Sequence, residues 1–158
     1  MLTYKNILYC TDYSEDAEMA FVNATQFTEK YGAKLHVLHV LDTQHRYLPT
    51  ETVENQEGGD AEWTVTTEML DKVKKKVMER YGPRLGKVTD VSWIIVAGVP
   101  FVEILKYARD LSVDLIVMGA AGKSEEEQTS FLSTVANVSQ RANCHVMAIR
   151  NPEKRYTL

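Results

Sequence analysis

Five short aliphatic runs alternate with four stretches of helical periodicity along the whole chain: Ile7–Cys10, Lys34–Leu41, Val91–Ala97, Leu115–Met118 and Cys144–Arg150. The runs are near-continuously apolar rather than alternating, so both of their faces must be covered. A strand, an amphipathic helix and a second strand in succession form a right-handed crossover unit. Repetition of that unit predicts a single α/β domain with an open parallel sheet, doubly wound by helices. A chain of 158 residues supports one sizeable core of this kind.

The helical stretches carry their own start and stop signals. Ser14 suits a cap, and Glu15 and Asp16 suit the positive end of the helix that follows. Ala17, Ala20, Phe21, Ala24, Phe27 and Tyr31 then recur at spacings of three and four, and Gly32 closes the helix. A second stripe, Thr66, Met69, Leu70, Val73, Val77 and Tyr81, predicts a helix from about Thr64 that Gly82-Pro83 stops. Lys72, Lys74, Lys75 and Lys76 read as its solvated face. Pro100 fits the first turn of a third helix with an inner face of Ile104, Leu105 and Ala108, and a fourth runs from about Ser133 to Ala142. Asp114 reads as a turn residue introducing the fourth strand.

Residues 42–62 break the pattern, with Pro49, Gly58-Gly59 and several acids but no apolar period. Such a long connection is either a solvated excursion or a functional lid that meets a ligand or a protein partner, with His45, Arg46 and Tyr47 near its start. The formal net charge of −4 argues against nucleic acid as a partner. No apolar run approaches the roughly 18 residues of a membrane span, and no basic leader precedes an apolar segment, so a cytoplasmic protein is expected. Cys10 and Cys144 lie in apolar runs and read as buried thiols. His36 and His39, three apart on a strand, point to opposite faces and form no shared metal site. His145 reads as a structural ring.

In doubly wound sheets ligands bind beyond the carboxyl ends of the strands, where strand order reverses. Two polar strand ends stand out here, Asp12 after the first strand and Gly119-Ala120-Ala121-Gly122 after the fourth. A carboxylate suits ribose hydroxyls, and a glycine turn leading to a helix suits phosphate. If the two strands are neighbours, both ends share one crevice. Gly122-Lys123-Ser124 is not the end of a phosphate-binding Walker loop, because Val117 stands where its first glycine is required and Glu125-Glu126-Glu127 follows. No Ser/His/Asp order, metal-protease motif or nucleophile elbow is present, so no catalytic residue is assigned.

Asn6 to Ser14, Gly98-Val99-Pro100 with its helix, Asp114 to Gly119, and Ser133 through Cys144-His145-Val146 together resemble the universal stress protein family, over about Lys5 to Arg150. The resemblance implies a Rossmann-like, adenine nucleotide alpha hydrolase-like fold with five strands in the order 3-2-1-4-5. It implies a homodimer, often joined through the last strand, here 144–150. It also implies an ATP site with the pattern Gly-x2-Gly-x9-Gly-[Ser/Thr], onto which Gly119, Gly122 and Ser133 map, with Thr134 the neighbouring hydroxyl. Asp12 matches the ribose-side aspartate and Val40 a backbone contact to adenine. Leu132 stands at the third glycine position, which makes the motif degenerate: its side chain enters the space a phosphate would use, and the three glutamates add like charge. The expectation is therefore a non-enzymatic stress-response or signalling protein with ATP or AMP in its crevice, magnesium accompanying only ATP. The alternatives are a competent ATP-binding member with slow hydrolysis or phosphotransfer, and a nucleotide-independent interaction module.

Overall fold

A computed structural model describes residues 1–43, 65–121 and 134–153. The strands are β1 (Asn6–Thr11), β2 (Lys34–Asp42), β3 (Val91–Gly98), β4 (Leu115–Gly119) and β5 (His145–Ile149). Between them run α1 (Glu15–Tyr31), α2 (Thr67–Tyr81), α3 (Pro100–Asp110) and a fourth helix, α4, described over residues 134–141. All strand pairs are parallel and the sheet order is β3-β2-β1-β4-β5. The chain is thus the predicted doubly wound sheet, with β1 and β4 side by side.

Alternate residues of each central strand feed two separate cores. Ile7, Tyr9, Leu35, Val37, Leu115 and Val117 meet Ala20, Phe21 and Ala24 of α1 and Val73, Val77 and Tyr81 of α2 on one face. Leu8, Cys10, Leu38, Ile116 and Met118 meet Ile104 and Ala108 of α3 and Val138 of α4 on the other. Burial on both sides is why these strands read as unbroken apolar runs. Each fully buried aliphatic side chain contributes about 1.5–3 kcal/mol to that packing.

Local chemistry sets the boundaries. The Ser14 hydroxyl accepts from the Ala17 amide at 3.1 Å, and Gly32 ends α1 in the left-handed region at φ 60°. Thr66 caps α2 in the same way, accepting from the Met69 amide at 3.2 Å. The α-helix ends at Tyr81, where Gly82-Pro83 is expected to stop it, and the chain continues into a 3-10 turn over Gly82–Arg84 with Gly82 right-handed at φ −52°. Pro83 lacks the N–H that the α ladder needs but has a helical φ, so the turn tightens beyond the helix end. β2 runs to Asp42, pairing it with Gly98, so the connection begins one residue later than predicted. β5 starts at His145 rather than Cys144, and Leu105 is half-buried instead of belonging to the inner face of α3. Phe101 packs there beside Ile104 and Ala108.

Asp114 does more than turn the chain. Its Oδ2 accepts the amides of Lys5 and Asn6 at 2.6 and 2.8 Å, which fixes the amino end of β1 beside that of β4. The strand histidines have local partners, His39 Nδ1 facing the Thr11 carbonyl at 2.7 Å. His36 Nε2 lies 3.2 Å from Asn6 Oδ1, which only accepts, so Nε2 carries a proton, and Nδ1 lies 2.6 Å from the Ser92 hydroxyl. His145 Nδ1 lies 3.0 Å from the Tyr4 hydroxyl. The four lysines of α2 are exposed, Lys72 paired with Glu68 and Lys75 with Glu79. Among the described residues no helix is long and apolar enough to cross a membrane.

Burial, reinforced by the charge of Lys34 and opposed by Asp90, holds the His36 imidazole below its ordinary pKa. A histidine depressed in the folded state contributes stability above its unfolded pKa of about 6.5 and loses it as pH falls through the folded value. Urea unfolding of the parent and of His36→Gln between pH 5 and 8 is expected to show a steeper loss of stability toward acid in the parent.

Candidate functional site

Each crossover helix returns antiparallel to the sheet, so α1 and α4 both start at the carboxyl edge of the strands. That edge opens where the chain leaves β1 toward one face and β4 toward the other. Cys10 pairs with Met118 and Thr11 with His39. Extending those registers by a residue sets Asp12 between the end of β2, which carries Val40, and the glycine turn that leaves β4. Parallel strands lie about 4.8 Å apart, so the three strand ends lie side by side on one edge of the sheet.

The individual residues show what holds them. Asp12 is half-buried and its Oδ1 accepts the Ser14 amide at 3.0 Å, an Asx turn that presents the carboxylate at the head of α1. Val40 is half-buried on β2 opposite Val96. Thr134 is buried and is the first described residue of α4. Gly122, Leu132 and Ser133, the three glutamates, and His45 to Tyr47 lie outside the described residues. Asp12, Val40 and Gly119 are therefore brought to one edge, with Thr134 on the helix that returns from it.

Gly119 has a packing reason independent of any ligand. A Cβ there would stand 2.6 Å from the Ala17 amide nitrogen and 2.9 Å from Asp16 Cβ. Asp16 is fully buried beneath it, its Oδ1 accepting the Asn151 amide at 2.9 Å, while the Ala120 amide donates to the Ile149 carbonyl at 2.7 Å. The first turn of α1 thus presses on the end of β4 and ties down the chain leaving β5. Glu15, Asp16 and Glu18 fill the acidic first turn of α1 and complement its positive end.

A polar cluster beside the crevice was not foreseen from the sequence. Tyr13, next to Asp12, has a φ of 63°, and its ring lies 4.6 Å from His39 and under the Arg80 guanidinium at 4.9 Å. The Thr11 hydroxyl accepts from the Tyr13 amide at 3.1 Å and lies 2.6 Å from the Tyr81 hydroxyl, which donates to Glu18 Oε1 at 2.8 Å. Arg80 and Arg84 close on the same carboxylate, at 2.9 and 2.6 Å. Burial pulls the Glu18 carboxyl upward, but the hydrogen bonds of Arg84 and Tyr81 and the charge of Arg80 outweigh it and hold it below the usual range. In the sequence Tyr81 stands only as the end of an apolar stripe. Its partner Glu18 is 63 positions away, which no local pattern reports.

Nothing in the described part forms a nucleophile or metal centre. Burial pushes up the Cys10 thiol, with the nearby Cys144 adding to it, and Cys144, which is half-buried rather than buried, is raised by burial and then Asp114. Neither is activated. His39 Nδ1 faces the Thr11 carbonyl at 2.7 Å, and no group of three or more potential ligands is suited to a metal among the described residues.

An open, doubly wound parallel sheet in the order β3-β2-β1-β4-β5 defines a Rossmann-like α/β domain. The universal stress protein family model matches residues 3–150. The chain belongs to the universal stress protein family. Universal stress protein MJ0577 of Methanocaldococcus jannaschii is 31% identical over 156 residues, covering 93% of this chain and 95% of that one. The solved structure of universal stress protein UspA from Lactobacillus plantarum superposes with a TM-score of 0.71 at 27% identity, covering 95% of this chain and all of that one. A universal stress protein solved in complex with cAMP shares the fold at a TM-score of 0.64 and 21% identity, covering 94% and 98% of the two chains.

The contact at Gly119 yields a stability prediction. Gly119→Ala is expected to cost about 1–3 kcal/mol in urea unfolding without any ligand, because the backbone of α1 rather than a flexible side chain must move.

Proposed function

We propose that this chain is a cytoplasmic stress-response or signalling protein that binds an adenine nucleotide in the crevice between β1 and β4 without acting as an enzyme. The observation that carries this reading is the adjacency of β1 and β4, which sets Asp12 and Gly119 on one open edge. In this reading Asp12 takes the ribose hydroxyls, the backbone at Val40 the adenine, and the turn from Gly119 to Gly122 with Ser133 and Thr134 the phosphate. The cAMP complex of a protein sharing the fold supports the ligand class.

Leu132 at the third glycine position and the three acids Glu125 to Glu127 put bulk and like charge into the sequence of the phosphate motif, which favours AMP over the more highly charged ATP. Magnesium would enter only with ATP. The chain acts as a homodimer through β5, an edge strand whose Val146, Met147 and Ile149 are only partly covered.

The test is isothermal titration with AMP and with ATP plus magnesium, alongside chromatography of an acid extract of the purified protein. AMP is expected to bind at least about tenfold more tightly than ATP, a difference of about 1.4 kcal/mol. Asp12→Asn, which keeps the Asx turn, is expected to weaken AMP by a factor on the order of ten through loss of a charged hydrogen bond. A clean extract with no heat from either nucleotide would leave the interaction-module alternative.

A further inference from the structure

We propose that Tyr81 and Glu18 are positioning residues for the nucleotide crevice: acting through the Thr11 hydroxyl, they hold the turn after β1 in the backbone conformation that presents Asp12. This rests on the nucleotide reading above and assigns the machinery that orients its ribose-side carboxylate.

Proton counting fixes the direction of the chain of hydrogen bonds. A carboxylate only accepts, so the single proton of the Tyr81 hydroxyl goes to Glu18 Oε1 at 2.8 Å. The 2.6 Å contact between Tyr81 and Thr11 must then be a donation from Thr11 to the tyrosine oxygen. That leaves the Thr11 oxygen to receive the Tyr13 amide at 3.1 Å. The sequence is Tyr13 N–H to Thr11 O–H to Tyr81 O–H to Glu18, and Arg80 and Arg84 anchor its far end at 2.9 and 2.6 Å. Such ordered chains polarise and strengthen each other away from bulk water.

What the chain holds is a strained residue. Tyr13 occupies the left-handed region at φ 63°, where an L side chain crowds the backbone and persists only under restraint. Its amide is held by Thr11, its ring by His39 and Arg80. Asp12 and Ser14 flank it, and the Asx bond between them spans it. If Tyr13 relaxed, the peptide planes on either side would rotate and Asp12 would leave its place at the strand end. The device also connects α2, which carries Arg80 and Tyr81, to the crevice.

The experiment is AMP titration of Tyr81→Phe, Thr11→Val, Thr11→Ser, Asp12→Asn and the Tyr81→Phe/Asp12→Asn pair, each checked for a cooperative melt. Tyr81→Phe keeps the ring on Tyr9 and Phe21 while removing the hydroxyl. It and Thr11→Val are expected to weaken AMP by a factor of about five, Thr11→Ser is expected to bind as the parent does, and Tyr81→Phe is expected to add less than about twofold on Asp12→Asn. Parent-like binding by Tyr81→Phe overturns the proposal and leaves the nucleotide reading intact. Equal weakening in both backgrounds, or a Thr11→Ser as weak as Thr11→Val, assigns the cluster to stability alone and overturns it too. A parent that binds no AMP defeats both. Should Tyr81→Phe fail to fold, the threonine pair decides by itself.

Discussion

The enclosure of β1 is the constraint on which the structure depends. It has hydrogen-bonded neighbours on both sides, helices over both faces and an amino end clamped by Asp114. At its carboxyl end the chain must turn at once into α1. Every element of the candidate site is arranged around that exit. β2 and β4 bring their ends to it by register, and α1 presses its first turn onto Gly119 from one side.

Polar groups near that exit are held by partners rather than left to water. Glu18 gathers two arginines and a tyrosine, Thr11 relays to the backbone of Tyr13, and Asp16 secures the chain beyond β5. Among the described residues no buried side-chain polar atom lacks a hydrogen-bond partner. Side chains held in this way have less freedom left to lose, and a preorganised site spends less of its binding energy on ordering. The same interactions give structural reasons for residues that also match a ligand motif, Gly119 above all.

Much of the fold was legible because its signals are local and repeated. Apolar runs covered on both faces, stripes at helical spacing, the Ser14 cap and the Gly32 stop each report on a few consecutive residues, and each is present in the structure. The Gly82-Pro83 stop is present too, with the glycine right-handed because Pro83 is what disrupts the ladder. The bonds of Asp114 to Lys5 and Asn6 cross more than a hundred positions, so the sequence shows only its place before β4. Asp12 and Gly119 were recognised as polar strand ends. The cluster of Glu18, Arg80, Tyr81 and Arg84 was not, since long-range ion pairs leave no periodicity.

By itself the sequence determined the alternation of strands and helices, the doubly wound class and the two polar strand ends, because burial on both faces dictates composition residue by residue. Only the tertiary structure decided that Gly119 is needed for the approach of α1, that Tyr13 is held left-handed, and that α2 reaches back to the turn beside Asp12. Those facts depend on distances between segments far apart in the chain. Such distances exist only once the sheet has formed.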